Sequence, residues 1–341
     1  MKFRNTILQL AVVAVFFLVA FLLTRPGKTR NYEEITGFAQ GTTYHIIYES
    51  AHGEKLQSSI DSFLTGFDCS LSIYNPNSII SRFNRNDPAV VADDAFIEVF
   101  NKSKEVFAAT KGAFDITVGP VVNALGFGSS DTLRVDSLVI DSLLQYVGMN
   151  KVNLAEGKLV KQHPNMQLDV NAIAQGYSVD LVARFLEEWG IRNYMVEIGG
   201  EVRAKGKNSK RSVWKIGIDK PQEGNMLPGA NLQAIVGLDD KSLATSGNYR
   251  KFYEKNGIKY VHTINPKTGY PVVSNLLSAT VVAEDCITAD AYATAFMVMG
   301  LDKSIEFLQA HRFLDAFLIY ADAQGRFQVY FTPGLEKYIE Q

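Results

Sequence analysis

The chain of 341 residues is poor in cysteine, with only Cys69 and Cys286. Two cysteines cannot build a disulfide framework, and by themselves they cannot supply the four ligands of a structural zinc site. The chain also lacks a charge surplus, since 34 basic residues stand against 36 acidic ones and the formal net charge is −2. Nucleic-acid-binding proteins normally carry a basic surface, so we expect no nucleic-acid partner.

No long Ser/Pro/Gly linker, low-complexity tract or internal repeat follows the first 34 residues. The remaining stretch is too long for a mini-protein, and without a linker it indicates one domain rather than two independent ones. We therefore predict a single two-lobed domain over residues 35–341. Its glycine-rich stretch 123–128 has neither P-loop nor G-x-G-x-x-G spacing, which argues against an ordinary NTPase or Rossmann protein.

One long hydrophobic run occurs, at residues 7–23, and Gln9 is its only polar residue. A helix of this length spans about 25 Å, just enough for the core of a bilayer. The run ends without the small residues of a cleavage site, so we predict an uncleaved transmembrane signal anchor at 1–24, followed by a tether at 25–34. Basic residues flank both ends, and the positive-inside rule therefore leaves the orientation open.

Hydrophobic periodicity predicts the helices and strands of the domain. Strands are expected at 41–49, 166–170, 194–198, 213–218, 232–238, 278–283, 317–320 and 328–331, and helices at 54–67, 93–110, 170–190 and 287–299. A loop is expected at 244–250. Because the elements do not alternate regularly, the pattern indicates an α+β fold with mixed sheets and flanking helices.

The most informative polar residues are Asp290 and Thr294, which stand four apart among alanines. On a helix they share one face, and a carboxylate with a hydroxyl offers hard oxygen donors suited to Mg²⁺ or Ca²⁺. Alternatively, Asp290 is a first-turn acid favoured by the helix dipole, and Thr294 bonds to a backbone carbonyl. The residues alone leave both interpretations open.

Three further segments carry weaker signals. Asp169 precedes a helix whose N-terminus could attract phosphate, or it is an N-cap. Asp115 interrupts an apolar run, either as a turn-forming cap or as a ligand contact. His262 ends a strand and could exchange protons near neutral pH, although a single histidine is more often a structural hydrogen-bonding group.

The order of these segments along the chain resembles the ApbE family of FAD:protein FMN transferases, also called flavin transferases. The resemblance covers about residues 36–332 and rests on seven motifs: SIYNPNSIISRFN, GAFDITVGPVVNALGFG, DVNAIAQGYSVD, VEIGGEV, LATSGNYRKFY, HTINPKTGYPV and TADAYATAFMVMG. It implies that FAD is the substrate, that Mg²⁺ is required, and that FMN passes to a Thr or Ser hydroxyl of an acceptor protein with release of AMP. It also implies a domain on the periplasmic face of a bacterial inner membrane, and an acceptor in a membrane electron-transfer complex.

The resemblance assigns expected roles to individual residues. Tyr74 stacks on the flavin ring, Asp169 contacts the nucleotide, and His262 activates the acceptor hydroxyl. The metal is held by the carbonyl of Ala172 and by the side chains of Asp290, which also counts as catalytic, and Thr294. The remaining FAD-binding positions are Gln40, Ala113, Phe114, Asp115, Gln175 and Ile264.

Two positions depart from the family pattern. Gln40 stands where methionine is common, and it would contact FAD by hydrogen bonding instead of thioether packing. Gln175 stands where lysine is common, so a neutral amide replaces a cation and weakens pyrophosphate binding by roughly 1–2 kcal/mol. Two alternative functions therefore stay open: an FAD pyrophosphatase that uses water as acceptor, and a membrane-tethered flavin-binding protein without turnover.

Overall fold

The computed structural model describes residues 31–50, 53, 55–128, 137–222, 229–248, 252–255, 258–261 and 263–340. The predicted anchor at 1–24 and the predicted catalytic residue His262 lie outside these ranges. Within them, no helix combines the length and the apolar character that a membrane crossing requires.

The described part of the chain forms fifteen strands and eight α-helices. The strands are β1 Asn31–Ala39, β2 Thr42–Ser50, β3 Val152–Ala155, β4 Lys158–Lys161, β5 Tyr194–Ile198, β6 Glu201–Lys205, β7 Trp214–Asp219, β8 Leu232–Leu238, β9 Lys241–Gly247, β10 Phe252–Lys255, β11 Ile258–Val261, β12 Leu276–Ala283, β13 Asp315–Ala321, β14 Phe327–Phe331 and β15 Ile339–Glu340. The helices are α1 Gln57–Leu71, α2 Ile79–Asn84, α3 Asp94–Ala109, α4 Gly119–Ala124, α5 Ser137–Leu144, α6 Ala174–Glu188, α7 Cys286–Met299 and α8 Leu301–Ala310.

An eight-stranded sheet in the order β1-β2-β5-β6-β9-β12-β13-β14 organises the domain, and every pairing in it is antiparallel. Alternating residues of its strands face two separate cores. On one face, Tyr44, Ile46 and Tyr48 of β2 pack against α1 and α6. On the other, the sheet packs against a smaller sheet of order β15-β8-β7. These layers confirm the predicted α+β class.

The hairpin of β1 and β2 places one predicted site residue at its tip. Ala39 pairs with Thr42, so the turn consists of Gln40 and Gly41 alone. Both residues have positive φ, 55° and 74°, as a type I′ turn requires. β1 begins at Asn31, so strand pairing already includes the last four residues of the segment predicted as a tether.

The start of α7 is fixed by two aspartates. Asp285 caps the helix, its side chain accepting from the Thr288 N–H at 3.1 Å. Asp180 of α6 is fully buried and accepts from the N–H groups of Cys286 and Ile287 at 3.0 and 2.8 Å. Its charge is paired with Arg203 of β6 at 2.5 Å. Three elements thus hold α7, which carries Asp290, in one position.

Glycine lets α6 and α7 approach closely. A Cβ atom on Gly176 would lie 2.5 Å from the Cys286 carbonyl oxygen and 2.7 Å from the Asp290 Cβ. A side chain at this position would therefore force the two helices apart.

Four of the predicted boundaries are wrong by three residues or more. The helix predicted at 54–67 spans Gln57–Leu71. Residues 166–170 form no strand; Gln167 makes an isolated parallel bridge to Val118, and irregular chain continues to α6. The helix predicted from 170 starts at Ala174, because Asp169 first forms a turn by accepting from the Asn171 N–H. The predicted loop at 244–250 is strand up to Gly247, since β9 pairs with β12 through that residue.

Candidate functional site

Residues 169–178 connect the predicted site residues. Asp169 at the start of this segment lines a cavity, Gly176 in its middle contacts Asp290, and Ser178 at its end contacts Gln40. We describe these three places in turn as the Tyr74 cavity, the Asp290 centre and the hairpin tip. The segment 169–178, which includes the start of α6, thus connects all three.

The Tyr74 cavity has a volume of about 400 Å³. Tyr74 is 65% exposed and forms part of the cavity wall, whereas Asp169 is 8% exposed. Burial raises the pKa of Asp169, and the Asn171 N–H opposes this by donating to the carboxylate. The polar lining includes Ser81, Asn84, Arg85, Asn123 and Gln167. The structure therefore brings Tyr74 and Asp169 together in a cavity large enough for an aromatic ring system.

Asn84 of α2 fixes the chain beneath the cavity. Its side chain accepts from the Leu168 N–H at 2.7 Å and donates to the Leu168 carbonyl at 2.9 Å. Lys161 supports the same segment by donating to the Met166 carbonyl at 2.8 Å. Because Leu168 directly precedes Asp169, the position of Asp169 depends on Asn84.

We expect Asn84→Ala to lower the free energy of unfolding by about 2 kcal/mol, because two hydrogen bonds are lost and a backbone pair is left unsatisfied. FAD affinity should fall as well, since Asp169 loses its support. Urea denaturation and fluorescence titration with FAD would measure the two effects. Asn77→Ala removes an exposed amide from the turn just before α2 and serves as the control, with little change in either quantity.

The Asp290 centre lies between α6 and α7. Asp290 is 6% exposed, and its Oδ2 accepts from the Gly176 N–H at 2.9 Å. In a regular helix that N–H would donate to the carbonyl four residues earlier, which belongs to Ala172. Thr294, one turn further along α7, shares a hydrogen bond with Ser246 of β9 at 3.1 Å. Burial raises the pKa of Asp290 from its ordinary value of 3.8 to about 7.

The oxygens at this centre fit Mg²⁺ better than a soft metal. No group of three or more His, Cys, Asp or Glu side chains that could hold a metal occurs in the described ranges. One carboxylate with neutral oxygens suits Mg²⁺, which commonly takes one or two protein carboxylates and completes its shell with phosphate and water. The raised pKa shows a carboxylate that a cation would stabilise. Asp290 and Thr294 with the Ala172 carbonyl could therefore hold Mg²⁺.

The hairpin tip brings the two departures from the family pattern together. Ser178 Oγ lies 3.1 Å from Gln40 Oε1 and donates to the Gln175 carbonyl at 2.7 Å. The Gln175 side chain donates to the Ile198 carbonyl at 3.0 Å and leaves no room for a Cβ at Gly199. Both glutamines thus lie next to one serine of α6.

Gln40 carries a buried amide that is only half satisfied. Its Nε2 is buried and has no hydrogen-bond partner in the described structure. The one hydroxyl hydrogen of Ser178 cannot serve both Gln175 and Gln40. Turning the Gln40 amide by 180° would let Nε2 donate to Ser178 Oγ and leave Oε1 without a partner. In either orientation, one polar atom of the Gln40 amide has no hydrogen-bond partner in the described structure and is available to a ligand.

Two substitutions separate the backbone strain at Gln40 from the role of its amide. We expect Gln40→Gly to be about 1 kcal/mol more stable than Gln40→Ala, because glycine adopts positive φ without strain. Both variants lack the amide, so both should lose the same fraction of FAD affinity. Thermal denaturation and FAD titration measure these quantities, and unequal affinities of the two variants would contradict a role for the amide.

Comparison with known proteins places the chain in a family. The sequence model of the ApbE family matches residues 40–318. The chain belongs to the ApbE family. A Haemophilus influenzae protein named FAD:protein FMN transferase is 37% identical over an alignment of 321 residues that covers 89% of this chain and 91% of that protein. A Vibrio cholerae protein of the same name is 36% identical over an alignment of 307 residues that covers 86% of this chain and 90% of that protein.

Solved structures of ApbE proteins share the fold. The flavin transferase ApbE from Vibrio cholerae superposes with a TM-score of 0.81 at 32% identity, covering 91% of this chain and 99% of that one. The flavinyl transferase ApbE of Pseudomonas stutzeri, in its apo form, superposes with a TM-score of 0.80 at 32% identity, covering 91% and 97%.

The other residues expected from the ApbE resemblance lie close to, but not in, the lining of the Tyr74 cavity. Ala113 and Phe114 are buried, and Asp115 accepts from Thr117 N and Oγ1 at 2.8 and 2.6 Å and from Met149 N at 3.2 Å. These bonds agree with the turn-forming alternative for Asp115, and burial raises the pKa of its carboxyl. The Asp169 N–H donates to the Ile116 carbonyl at 2.7 Å, so this segment lies next to the cavity.

Ile264 belongs to a separate apolar cluster. Its side chain packs with Val121 and Ile140, and its backbone bridges to Pro271. Only its backbone therefore remains for the predicted FAD contact.

Sequence analysis missed several residues that support the ApbE site. Asn84 ends the quoted motif SIYNPNSIISRFN, but nothing in the sequence indicates that its side chain holds Leu168. Asp180 lies in a predicted helix, where an acidic residue normally indicates a solvent-exposed position. Ser246 lies in a segment predicted as a loop. Each makes its contact with a residue distant along the chain, so only the tertiary structure identifies them.

Proposed function

We propose that this chain is an FAD:protein FMN transferase that moves FMN from FAD to a Thr or Ser hydroxyl of an acceptor protein, with Mg²⁺ and release of AMP. The observation that carries the proposal is the single segment 169–178, which joins a cavity with an aromatic wall to a buried carboxylate. The flavin ring of FAD fits the Tyr74 cavity, and its pyrophosphate fits the Asp290 centre. The names of the relatives support the same reaction.

The reaction is a displacement at phosphorus. The acceptor hydroxyl oxygen forms a bond to the flavin-side phosphorus, and the bond from that phosphorus to the bridging oxygen breaks. AMP leaves with the bridging oxygen and the electron pair of that bond, and the hydroxyl proton passes to a base, for which His262 remains our prediction. Asp290, Thr294 and the Ala172 carbonyl would hold Mg²⁺, which as a Lewis acid would neutralise charge on the pyrophosphate.

The residues of this chain contribute mainly binding and orientation. Tyr74 presents an aromatic face to the flavin ring, and Asn84 holds the segment that bears Asp169. Gln175 provides a neutral amide at the position where the family commonly has a lysine cation. Fixing the pyrophosphate next to the acceptor hydroxyl lowers the barrier by several kcal/mol through orientation.

The membrane part of the proposal rests on the apolar run for the anchor and on the family resemblance for the side of the membrane. Residues 7–23 anchor the chain in a bacterial inner membrane, and the domain lies on the periplasmic side. The acceptor is then a protein exposed on that side, such as a component of a membrane electron-transfer complex.

The experiment is to incubate the full-length chain in detergent with FAD, Mg²⁺ and a candidate acceptor, and then to weigh the acceptor by mass spectrometry. Transfer predicts an acceptor heavier by one FMN residue and an equal amount of AMP. Free FMN formed without acceptor would instead indicate the pyrophosphatase. FAD that stays unchanged with acceptor and Mg²⁺ would indicate a flavin-binding protein.

A further inference from the structure

Exposed aromatic side chains cluster where α6 ends. Trp189 follows the helix directly and is 55% exposed, and Phe63 of α1 is 38% exposed. The ring centroids of Phe63 and Phe185 lie 5.9 Å apart, and those of Phe185 and Trp189 lie 6.2 Å apart. We call these three residues the aromatic patch. It lies on the outer surface, away from the Tyr74 cavity and the Asp290 centre.

The aromatic patch lies at the end of the domain where the chain enters β1. Asn31 pairs with Ser50, and the Glu49 N–H donates to the Asn193 carbonyl at 2.8 Å. Only four residues separate Asn193 from Trp189. At the opposite end of β1, Gln40 contacts the first turn of α6. The first described residue of the chain and the patch therefore share one end, and the candidate site lies at the other.

Basic side chains surround the same end. Arg192, Lys210 and Arg211 are exposed. The turn that carries the last two is tied to β1 because the Tyr32 hydroxyl donates to the Lys207 carbonyl at 2.7 Å. The Asn208 side chain accepts from the Lys210 and Ser212 N–H groups at 2.9 and 3.2 Å and keeps the turn in shape.

The acidic groups at this end are mostly engaged. Asp239 pairs with Lys207 at 3.0 Å, and Glu187 pairs with Lys205 at 2.9 Å. Glu188, next to Trp189, is exposed. Glu33, Glu49 and Asp240 also lie at this end, where Glu49 accepts from the Asn193 amide and Asp240 from the Gly206 N–H, so the local net charge is close to balanced. Arg192, Lys210 and Arg211 form no ion pair within the described residues, which leaves their side chains available to bind anionic groups.

The length of chain before β1 limits how far this end can be from a membrane. Eight Cα steps separate Leu23, the last residue of the apolar run, from Asn31. Eight steps span at most about 28 Å. With the apolar run in a bilayer, the Asn31 end of the domain, where the aromatic patch lies, stays within about 28 Å of the hydrocarbon core and can therefore reach the lipid headgroups.

We propose that the aromatic patch and Arg192, Lys210 and Arg211 dock the domain on a bilayer that contains anionic phospholipid. Trp and Phe side chains insert at the boundary between headgroups and acyl chains, and the basic side chains bind lipid phosphates. The proposal rests on the membrane tether proposed above, and it adds a second, surface contact to it. It does not depend on which reaction the site performs.

The tryptophan content allows a direct test. The chain has two tryptophans, Trp189 in the patch and Trp214, which is 5% exposed. Full-length chain is reconstituted into vesicles of phosphatidylcholine and phosphatidylglycerol with brominated acyl chains. In the Trp214→Phe variant, which keeps Trp189, we expect emission to fall at least about two-fold relative to unbrominated vesicles. In the Trp189→Phe variant, which keeps Trp214, emission should hardly change.

A triple variant that replaces the three basic side chains with neutral glutamine tests their role in docking. Arg192→Gln with Lys210→Gln and Arg211→Gln should reduce the quenching of Trp189 to the level seen in pure phosphatidylcholine. The matched control carries Lys104→Gln, Lys303→Gln and Arg312→Gln, which removes three exposed charges elsewhere and should leave quenching unchanged.

The outcomes distinguish the docking surface from the tether and from the reaction. Loss of the chain from vesicles in alkaline carbonate would overturn the tether, and the docking proposal with it. Retained chain with unquenched Trp189 would overturn the docking surface alone, including the case where a second copy covers the patch. Neither result touches flavin transfer, because mass spectrometry of the acceptor measures that separately.

Discussion

Asp290→Asn should reduce FMN transfer by roughly 10³-fold or more while the protein stays folded. The substitution keeps the shape of the side chain and an oxygen that can accept from Gly176, but it removes the negative charge. A metal that neutralises pyrophosphate contributes several kcal/mol, and about 4 kcal/mol corresponds to a factor near 10³. The rate of acceptor flavinylation, followed by mass spectrometry at saturating FAD, measures the effect.

Thermal denaturation gives a second measure that does not depend on activity. Mg²⁺ should raise the Tm of the wild-type chain and leave that of Asp290→Asn unchanged, because a ligand stabilises only the state that binds it. Without metal, the variant should be at least as stable as wild type at pH 8. Burial raises the pKa of Asp290 to about 7, so above that pH its charge disfavours the metal-free fold.

Asp302→Ala is the matched control for this prediction, since it removes an exposed acid from the neighbouring helix α8. It should keep both the activity and the Mg²⁺-dependent rise in Tm. Full activity of Asp290→Asn in the presence of excess EDTA would rule out the metal centre.

Asp180→Ala should lower the free energy of unfolding by about 3–5 kcal/mol, the largest stability loss that we expect from one substitution. It leaves the half-buried Arg203 guanidinium without its partner and deprives two N–H groups at the start of α7 of their acceptor. Urea denaturation of the wild type and the variant measures the difference.

A double variant separates the ion pair from the helix start. Asp180→Ala with Arg203→Met should recover part of the loss, because no uncompensated charge remains, but the two N–H groups stay unsatisfied. Lys215→Ala breaks an exposed pair with Glu340 and should cost less than about 1 kcal/mol. Equal costs for Asp180→Ala and Lys215→Ala would show that the buried pair has no special role.

The sequence predicts about half of the helices and strands of the described structure, those whose residues follow local rules. The helix predicted at 93–110 is observed at Asp94–Ala109 with Asp93 as its cap, and the residues of β8 match the predicted range. The predictions fail where contacts with side chains distant in sequence, and not the local residue pattern, determine the backbone conformation. The chain at 166–170 has strand-like residues but is held by Asn84, which lies 84 positions away from Leu168. β1 is not predicted because its residues NYEEITGFA lack strict alternation of polar and apolar side chains, and its first four belong to the segment predicted as a tether.

The candidate site could be predicted only as separate motifs. The four-residue spacing of Asp290 and Thr294 indicates a shared helix face, and the observed α7 has that face. The contact of Gly176 with Asp290 spans 114 residues and needs the close approach of two helices, which no local pattern reveals. The proximity of Gln40 and Gln175 likewise depends on the pairing of β2 with β5.

The hairpin of β1 and β2 also acts as a spacer. Nine residues of extended chain separate Asn31 from Ala39, a length of about 26 Å at roughly 3.3 Å per step. With the domain docked as proposed above, Gln40 and the neighbouring part of α6 lie at most about that distance further from the headgroups than the Asn31 end. An acceptor must then bring its threonine or serine to the candidate site within this distance of the docked surface.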